Sequence, residues 1–327
     1  MDQEIANPKA STAREEGAVL LLVLLILTLI SVLVLSWAQE WRTELKLASN
    51  FGESHKSHRL AEAGIYYALG KLVIAKAAEA DRLKSVGPRT QEVSGDLWQG
   101  DQRPHVLELA DGIAEVRIAD EGGKINLNFA PEALLSKFFA GLGLAEPQIR
   151  TMVDSIQDWR TKDASPRPYG AKSPYYLSLD PPYVAKNGNF ETVEELAWVR
   201  GFEATPLIAR LNQWLTVQSG DRAINLNTAP LEVLLAAGFS QAAAQNIIVT
   251  RQATPFRNLQ EIPQSEANLL LGQTQKFSFR SSPFFTITST GMVKKTKGRQ
   301  TIKAIVRVDI NQQVPWVILS WYDGFPG

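Results

Sequence analysis

The chain has 327 residues, enough for one elaborated domain or two to three small ones with a real hydrophobic core. Its 34 basic and 34 acidic residues balance, which argues against a global electrostatic field directed at nucleic acid or an anionic surface. The chain contains no cysteine, which excludes disulfides, thiol catalysis and zinc–thiolate sites.

An uninterrupted apolar run extends from Ala18 to Ala38. As a helix it is roughly 30 Å long, about the thickness of the hydrocarbon core of a bilayer, and it contains no charged residue. It is apolar on all sides, which argues against a core helix of a soluble protein. It is longer than the apolar part of a secretory signal, and no A-x-A cleavage pattern follows it. The sequence therefore predicts a transmembrane helix at 18–38.

A polar leader, Met1 to Gly17, precedes this run, and the combination resembles the class III (prepilin-type) signal. In such signals a peptidase cuts on the cytoplasmic side of the apolar helix, so the resemblance implies cleavage between Gly17 and Ala18. Most pilins and pseudopilins carry glutamate at the fifth residue of the mature chain, where this chain has Leu22. A carboxylate in the bilayer is costly unless it is paired, so its loss suits a subunit at a fibre tip that has no neighbour above it.

Downstream of the membrane segment the sequence predicts a helix followed by two separated pieces of antiparallel sheet. Gln39 to about Lys84 is compatible with a continuing helix whose second half has an apolar face. Alternating apolar residues predict a β-hairpin at 105–119 and a second strand pair at 284–309, with a further strand at 314–321. A long N-terminal helix packed on a small antiparallel sheet resembles the pilin architecture.

About 160 residues separate the two pieces of predicted sheet, an insertion as large as a domain, and they contain an internal repeat. The pattern I-N-L-N-x-A-P occurs at 125–131 and at 224–230, and an apolar helix, a glycine-containing turn and a second helix follow each copy. Asparagine as a helix cap and proline in the first turn account for the pattern. Such helix pairs resemble helix-hairpin-helix modules, which grip DNA with glycine amides and lysines. No basic footprint accompanies these turns, which favours a helical scaffold.

Three carboxylates lie between the two copies of the repeat. Asp154 and Asp158 are four residues apart on one helix face, and Asp163 is in the loop that follows. Oxygen ligands from a helix end and the next loop are typical of calcium sites. The alternative is that Asp158 and Asp163 accept bonds from backbone amides or pair with Arg160 and Lys162. No nucleophile or histidine accompanies the carboxylates, which argues against an enzyme.

Taken together, these features resemble the K-type minor pseudopilins of type II secretion systems. The resemblance rests on the leader with leucine at the fifth mature position, the I-N-L-N motifs, the D-W…P-x-G-A…Y-Y stretch at 158–176 and the E-E-L…V-R-G-F stretch at 194–202. It runs from Gly17 to about Asp309. It implies an α+β fold: a pilin-like long N-terminal transmembrane helix on a small antiparallel sheet, interrupted by a large all-α insertion with two helix-hairpin-helix-like repeats.

The resemblance also implies a function and a location. A K-type minor pseudopilin is a single-pass inner-membrane protein with its bulk in the periplasm, cut after the leader glycine and methylated there by the prepilin peptidase. It joins the I- and J-type minor pseudopilins at the tip of the pseudopilus, above the major pseudopilin and the inner-membrane secretion platform. There it caps and initiates the fibre during export of folded proteins across the outer membrane, without catalysis or nucleic-acid binding. Two alternatives are a minor pilin of a type IV pilus and a membrane-tethered helix-hairpin-helix DNA-binding protein.

For cofactors, the resemblance implies calcium in the insertion of some family members and nothing else. In this chain Asp158 and Asp163 are the candidate ligands and Asp154 is a weaker one. Lys162, Lys172 and Ser173 add no acidic ligand to the stretch. The predicted segments are a leader at 1–17, the N-terminal helix at 18–84, the first part of the sheet at 85–122, a first repeat with its acidic, proline-rich loop at 123–220, a second repeat at 221–276 and the second part of the sheet at 277–327.

Overall fold

The computed structural model describes residues 9–84, 98–163, 165–203, 207–220, 222–262, 276–294 and 298–324. The chain divides into two compact units, Met1–Lys56 and Ser57–Gly327. Residues 1–8 of the predicted leader lie outside the described residues, and so do the side chains of residues 9–18. The six segment boundaries predicted from the sequence stay predictions.

The first element is a single long helix, α1, which spans Lys9–Lys84 and so includes the predicted membrane segment. Within the part of the chain that the structure describes, it holds the one helix that is long and apolar enough to cross a membrane by length and composition. Two hydroxyls in this apolar stretch bond back to the helix: Thr28 Oγ1 donates to the Leu25 carbonyl at 2.8 Å and Ser31 Oγ to that of Leu27 at 2.7 Å. These bonds satisfy the polar groups inside the helix itself. The predicted long apolar N-terminal helix is confirmed.

Nine strands lie in the described residues, five of them in one antiparallel sheet with the order β1-β2-β7-β8-β9. The strands are β1 (Asp101–Leu109), β2 (Gly112–Asp120), β3 (Ile125–Asn126), β4 (Leu215–Thr216), β5 (Ile224–Asn225), β6 (Phe277–Ser278), β7 (Phe284–Val293), β8 (Arg299–Val308) and β9 (Trp316–Asp323). Both predicted strand pairs and the predicted final strand are present. The first hairpin is longer than predicted, because β1 begins at Asp101.

The C-terminal part of α1 packs on one face of this sheet. Apolar residues of the helix share a buried cluster with alternating residues of the central strands, among them Ile65 on α1 and Val116 on β2. The backbones approach so closely that a Cβ atom at Gly64 would lie 2.2 Å from Ser289 Oγ. A Cβ at Gly291 on β7 would lie 1.9 Å from a carbonyl oxygen of α1. Helix and sheet therefore require glycine at both of these contacts.

A second hydrophobic core lies in the region between β2 and β7. Its helices are α2 (Glu132–Gly141), α3 (Glu146–Arg160), α4 (Ser173–Leu177), α5 (Ile208–Leu211), α6 (Leu231–Ala236) and α7 (Gln241–Ala253). Helix α2 packs against both α3 and α6, so the equivalent first helices of the two repeats meet in the core. Large aromatic residues, including Phe138, Phe139 and Phe202, are fully buried there.

The prediction of an all-α insertion is wrong in one respect. β3 pairs with β4, and β5 pairs with β6, in two parallel two-residue ladders within the insertion. Two residues are too short to show the alternation that reveals a strand in a sequence. The helix-hairpin-helix character of the repeats stays a prediction.

Candidate functional site

The N-terminal segment carries the residues predicted to control processing and assembly. Gly17 and Ala18 lie within the backbone of α1, and their side chains are outside the description. Leu22 is 58 % exposed, and the large apolar side chains that follow it along α1 as far as Leu35 are exposed as well. A contiguous apolar surface of this size marks a membrane or protein contact. The roles of Gly17, Ala18 and Leu22 stay predictions.

The first asparagine of each I-N-L-N motif makes a tight local turn. Asn126 Oδ1 accepts the backbone N–H of Asn128 at 2.9 Å, and Asn225 Oδ1 accepts that of Asn227 at 3.0 Å. This side chain therefore satisfies an amide two residues ahead, as asparagine commonly does in turns.

These asparagines are not the caps of the helices that follow, contrary to the prediction from the sequence. The residues that cap α2 and α6 are Pro131 and Pro230, both in extended conformation and without a capping hydrogen bond from a side chain. Each proline accordingly stands just before the first helical turn, one position earlier than predicted. The asparagines shape the turn that leads into the helix and do not cap it.

The second asparagine of each motif binds a distant loop through its whole amide group. Asn128 Oδ1 accepts the Phe190 N–H at 2.7 Å while Asn128 Nδ2 donates to the Phe190 carbonyl at 3.0 Å. Asn227 makes the same pair of bonds with Phe256, at 2.8 Å each. The partners are 62 and 29 residues away along the chain, respectively. Each copy of the motif therefore anchors a loop that the sequence pattern alone does not reveal.

An arginine near the end of the second helix completes each copy. Arg160 Nη1 donates to the Leu127 carbonyl, and Arg251 Nη1 donates to the equivalent Leu226 carbonyl at 2.7 Å. Burial lowers the pKa of each guanidinium to about 10, so both stay charged at neutral pH. Arg160 is thus engaged with backbone carbonyls and not with the aspartates to which it was a candidate partner. The signal that would have found this pair is the recurrence of arginine at the end of the second helix.

The buried carboxylate of Asp120 joins the sheet to the second repeat. Its Oδ1 accepts the N–H groups of Gly122 at 2.9 Å and Ser282 at 3.0 Å. Its Oδ2 accepts from Asn225 Nδ2 at 2.8 Å and from the Thr228 hydroxyl at 2.9 Å. Burial raises the pKa of the Asp120 carboxyl, and these four donors act in the opposite direction. One residue at the end of β2 therefore fixes the position where the insertion leaves and re-enters the sheet.

Two of the predicted calcium ligands, Asp154 and Asp158, bind the loop that follows α3, and the third, Asp163, is exposed. Asp154 Oδ2 accepts the Tyr169 N–H and Asp158 Oδ2 accepts the Arg167 N–H, both at 3.0 Å. Burial raises the pKa of Asp158. Asp163 lies exposed beyond the end of α3.

This donor set does not fit a calcium ion. In the described ranges no three histidine, aspartate or glutamate side chains come together in a group able to hold a metal. The Arg167 guanidinium lies 3.9 Å from Asp158 Oδ1, so a positive charge already accompanies that carboxylate. Calcium binding by Asp154, Asp158 and Asp163 stays a prediction, which the fit of these donors does not favour.

The chain is similar to known proteins of one family. Two family models, both described as type II secretion system (T2SS) protein K, match residues 118–220 and 224–282. The type II secretion system protein K of Pseudomonas aeruginosa is 28 % identical over 258 residues, covering 75 % of this chain and 74 % of that protein. The corresponding protein of Klebsiella pneumoniae is 25 % identical over 267 residues, covering 75 % and 78 %.

The fold is also similar to a solved structure. A chain in the crystal structure of the GspK-GspI-GspJ complex from the enterotoxigenic Escherichia coli type 2 secretion system matches with a TM-score of 0.54. The identity is 18 %, and the match covers 81 % of this chain and 97 % of that one. At this identity the likeness shows the fold alone.

Together with these matches, the long apolar helix, the antiparallel sheet and the helical region inserted into that sheet indicate a minor pseudopilin of type II secretion. The chain belongs to the type II secretion system protein K family.

Proposed function

We propose that this chain is the minor pseudopilin at the tip of the type II secretion pseudopilus, where it caps and initiates the fibre during export of folded proteins across the outer membrane. The role is structural and not catalytic. Its partners are the I- and J-type minor pseudopilins, as in the complex of the similar solved chain, together with the major pseudopilin and the inner-membrane platform.

The observation that carries the proposal is the position of the insertion on the sheet. Asp120, the last residue of β2, pairs with Phe285 at the start of β7. The inserted region between them therefore leaves and re-enters at the same end of two adjacent central strands. Such an arrangement concentrates the bulk of about 160 residues at one end of the sheet.

The C-terminal turns of α1 reach that same end. Lys76 Nζ donates to the carbonyl of Ser281 at 2.9 Å, and Arg82 Nη1 donates to that of Pro255 at 2.7 Å. At the opposite end of the sheet, Gly291 on β7 contacts Ser57 near the start of this part of α1. The insertion therefore lies toward the C-terminal end of α1. In a fibre whose subunits are stacked along this helix with the N-terminus toward the membrane, the insertion leaves no room for a subunit above.

The N-terminal features supply the rest of the proposal. The leader ending at Gly17 is the site for prepilin peptidase, which also methylates Ala18, and α1 crosses the inner membrane once with the bulk of the chain in the periplasm. Leu22 takes the place of the carboxylate that pairs with a subunit above. An unpaired carboxylate inside a bilayer is costly, so a tip subunit is stabilised by losing it.

Deletion of the gene in its parent bacterium tests this function against the two alternatives. We expect exoproteins to accumulate in the periplasm, while type IV pili and DNA uptake remain intact, and we expect the wild-type gene to restore release. Normal exoprotein release in the deletion strain would contradict the proposal. Loss of pilus function or of DNA uptake in its place would support a type IV minor pilin or a DNA-binding protein, respectively.

A further inference from the structure

A buried lysine ammonium lies inside an oxygen cage next to the acidic loop. Lys172 is 4 % exposed, and its Nζ contacts the carbonyl oxygens of Asp158 at 2.6 Å and Thr161 at 2.7 Å. The Thr161 hydroxyl and Asn187 Oδ1 complete the cage at 3.3 Å each. An ammonium has three protons to donate and no acceptor, so an all-oxygen surrounding matches it fully.

The cage is built on the C-terminal end of α3. The carbonyl groups of the last turn of a helix have no partner within the helix, and this end carries partial negative charge. Asp158 lies in the last turn of α3 and Thr161 is its C-terminal cap. The Lys172 ammonium therefore supplies the positive charge and the hydrogen bonds that this end lacks.

Two further segments close around the same point. Gly170, two residues before Lys172, passes so close to Asp158 that a Cβ atom there would lie 2.0 Å from Asp158 Oδ2. The Arg200 guanidinium holds this turn by donating to the Gly170 carbonyl at 3.0 Å. On the other side, Asn187 adopts a positive φ of 50°, which brings its side chain to the ammonium. The end of α3, the loop before α4 and the segment around Asn187 thus meet at one cation.

We infer that the Lys172 ammonium is the resident cation of this junction, performing the charge neutralisation and cross-linking for which a divalent ion would otherwise be required. Lys172 is accordingly a positioning residue that fixes three segments of the first repeat. Replacing it with alanine removes the equivalent of a propylammonium ion and leaves a site lined by backbone carbonyl, hydroxyl and amide oxygens. That site takes a small primary ammonium ion as its ligand.

Thermal unfolding of the full-length, detergent-extracted protein tests the inference. We expect the Tm of the wild type to be the same in calcium chloride and in EGTA, because its cation is covalently attached. Lys172→Ala lowers the Tm by several degrees, and propylammonium restores part of the loss, whereas propanol of the same size does not. Lys162→Ala is the matched control, since this nearby lysine is exposed, and it leaves the Tm unchanged with or without propylammonium.

Two results would overturn the inference. One is a wild-type Tm that rises with calcium and falls with EGTA in a manner abolished by Asp158→Asn, which would establish a divalent site. The other is a Lys172→Ala protein as stable as Lys162→Ala. If Lys172→Ala fails to fold, Lys172→Met keeps the apolar stem and tests the charge alone, with the same expected loss of Tm.

Discussion

Asn227 and Phe256 exchange two hydrogen bonds, each 2.8 Å long, between one side-chain amide and one backbone peptide group. Asn227 is 5 % exposed and Phe256 is 1 % exposed, so neither bond is replaced by water in the folded protein. Asn128 makes the equivalent pair with Phe190 in the first repeat. The second asparagine of each motif therefore joins the motif to a loop that is distant in sequence.

Replacing Asn227 with alanine tests this role. The change leaves the buried N–H of Phe256 without its partner, whereas the Phe256 carbonyl keeps the Arg82 guanidinium at 3.4 Å. An unsatisfied buried group costs about 1–3 kcal/mol. We expect Asn227→Ala, and to a similar degree Asn128→Ala, to lower the free energy of unfolding in a urea titration. Asn311→Ala, at an exposed position, is the control and stays within about 0.5 kcal/mol of the wild type. Stability of the Asn227→Ala and Asn128→Ala variants equal to that of the control would show that these asparagines do not hold the distant loops.

The packing of α1 on the sheet gives a second prediction, with a control in the same helix. A Cβ atom at Gly64 would lie 2.2 Å from Ser289 Oγ and 2.9 Å from Val116 Cγ2, whereas nothing lies within 4 Å of one at Gly70. We expect Gly64→Ala to destabilise the protein by about 1–3 kcal/mol through overpacking. Gly70→Ala is expected to stabilise it by about 0.5–1 kcal/mol, because alanine is the better helix former. Thermal unfolding of the two variants checks both signs, and a stabilising Gly64→Ala would refute the close approach.

The turn above Asp158 gives a third prediction. A Cβ atom at Gly170 would overlap Asp158 Oδ2, and the loop has little freedom because its amides already bind Asp154 and Asp158. We expect Gly170→Ala to lower the Tm and to increase hydrogen exchange of the Arg167 amide. Gly141→Ala, where nothing lies within 4 Å of the added atom, is the matched control; it does not lower the Tm and leaves exchange of the Arg167 amide unchanged. An unperturbed Arg167 amide in Gly170→Ala would mean that the carboxylate does not hold the loop.

Leader removal is a fourth prediction, made from the sequence. Co-expression with a prepilin peptidase is expected to give a protein that begins at Ala18 and carries a methyl group on its new N-terminus, both visible in the intact mass. Gly17→Val blocks the cut because the small residue before the scissile bond is lost. Gly17→Ala keeps a small residue and is expected to retain measurable processing. Normal cleavage of Gly17→Val would refute the assigned site.

The elements found from the sequence are those with a long, regular pattern. The apolar run of α1 is easy to recognise because the helix is apolar on all sides. The alternation in β2, β7 and β8 is easy to recognise because one face of each strand is buried. The strands β3 to β6 are two residues long, too short to show such an alternation. No sequence pattern indicates that Ile125 pairs with Leu215. Long-range pairing of this kind is decided by the packed core rather than by local pattern.

The candidate sites divide in the same way. The asparagines of the repeat were visible as a motif, but their partners Phe190 and Phe256 follow no common spacing, being 62 and 29 residues away. Charge alone makes Arg160 a candidate partner of Asp158 and Asp163 in the sequence. In the structure the Arg160 guanidinium donates to the Leu127 carbonyl, because a buried guanidinium can satisfy backbone groups that have no other donor. In the sequence Lys172 is a residue that adds no acidic ligand, whereas in the structure its ammonium occupies an oxygen cage.

Recovery of the I- and J-type minor pseudopilins with this chain from co-expressing membranes tests the central claim most directly. Wild-type protein is expected to retain both partners, and Leu22→Gln, a polar but uncharged control, is expected to retain a substantial share. Leu22→Glu is expected to lose them, because an unpaired carboxylate is placed in the bilayer at the tip. Failure of the wild type to retain either partner would contradict the assembly role, and equal recovery with Leu22→Glu would contradict the position of this chain at the tip.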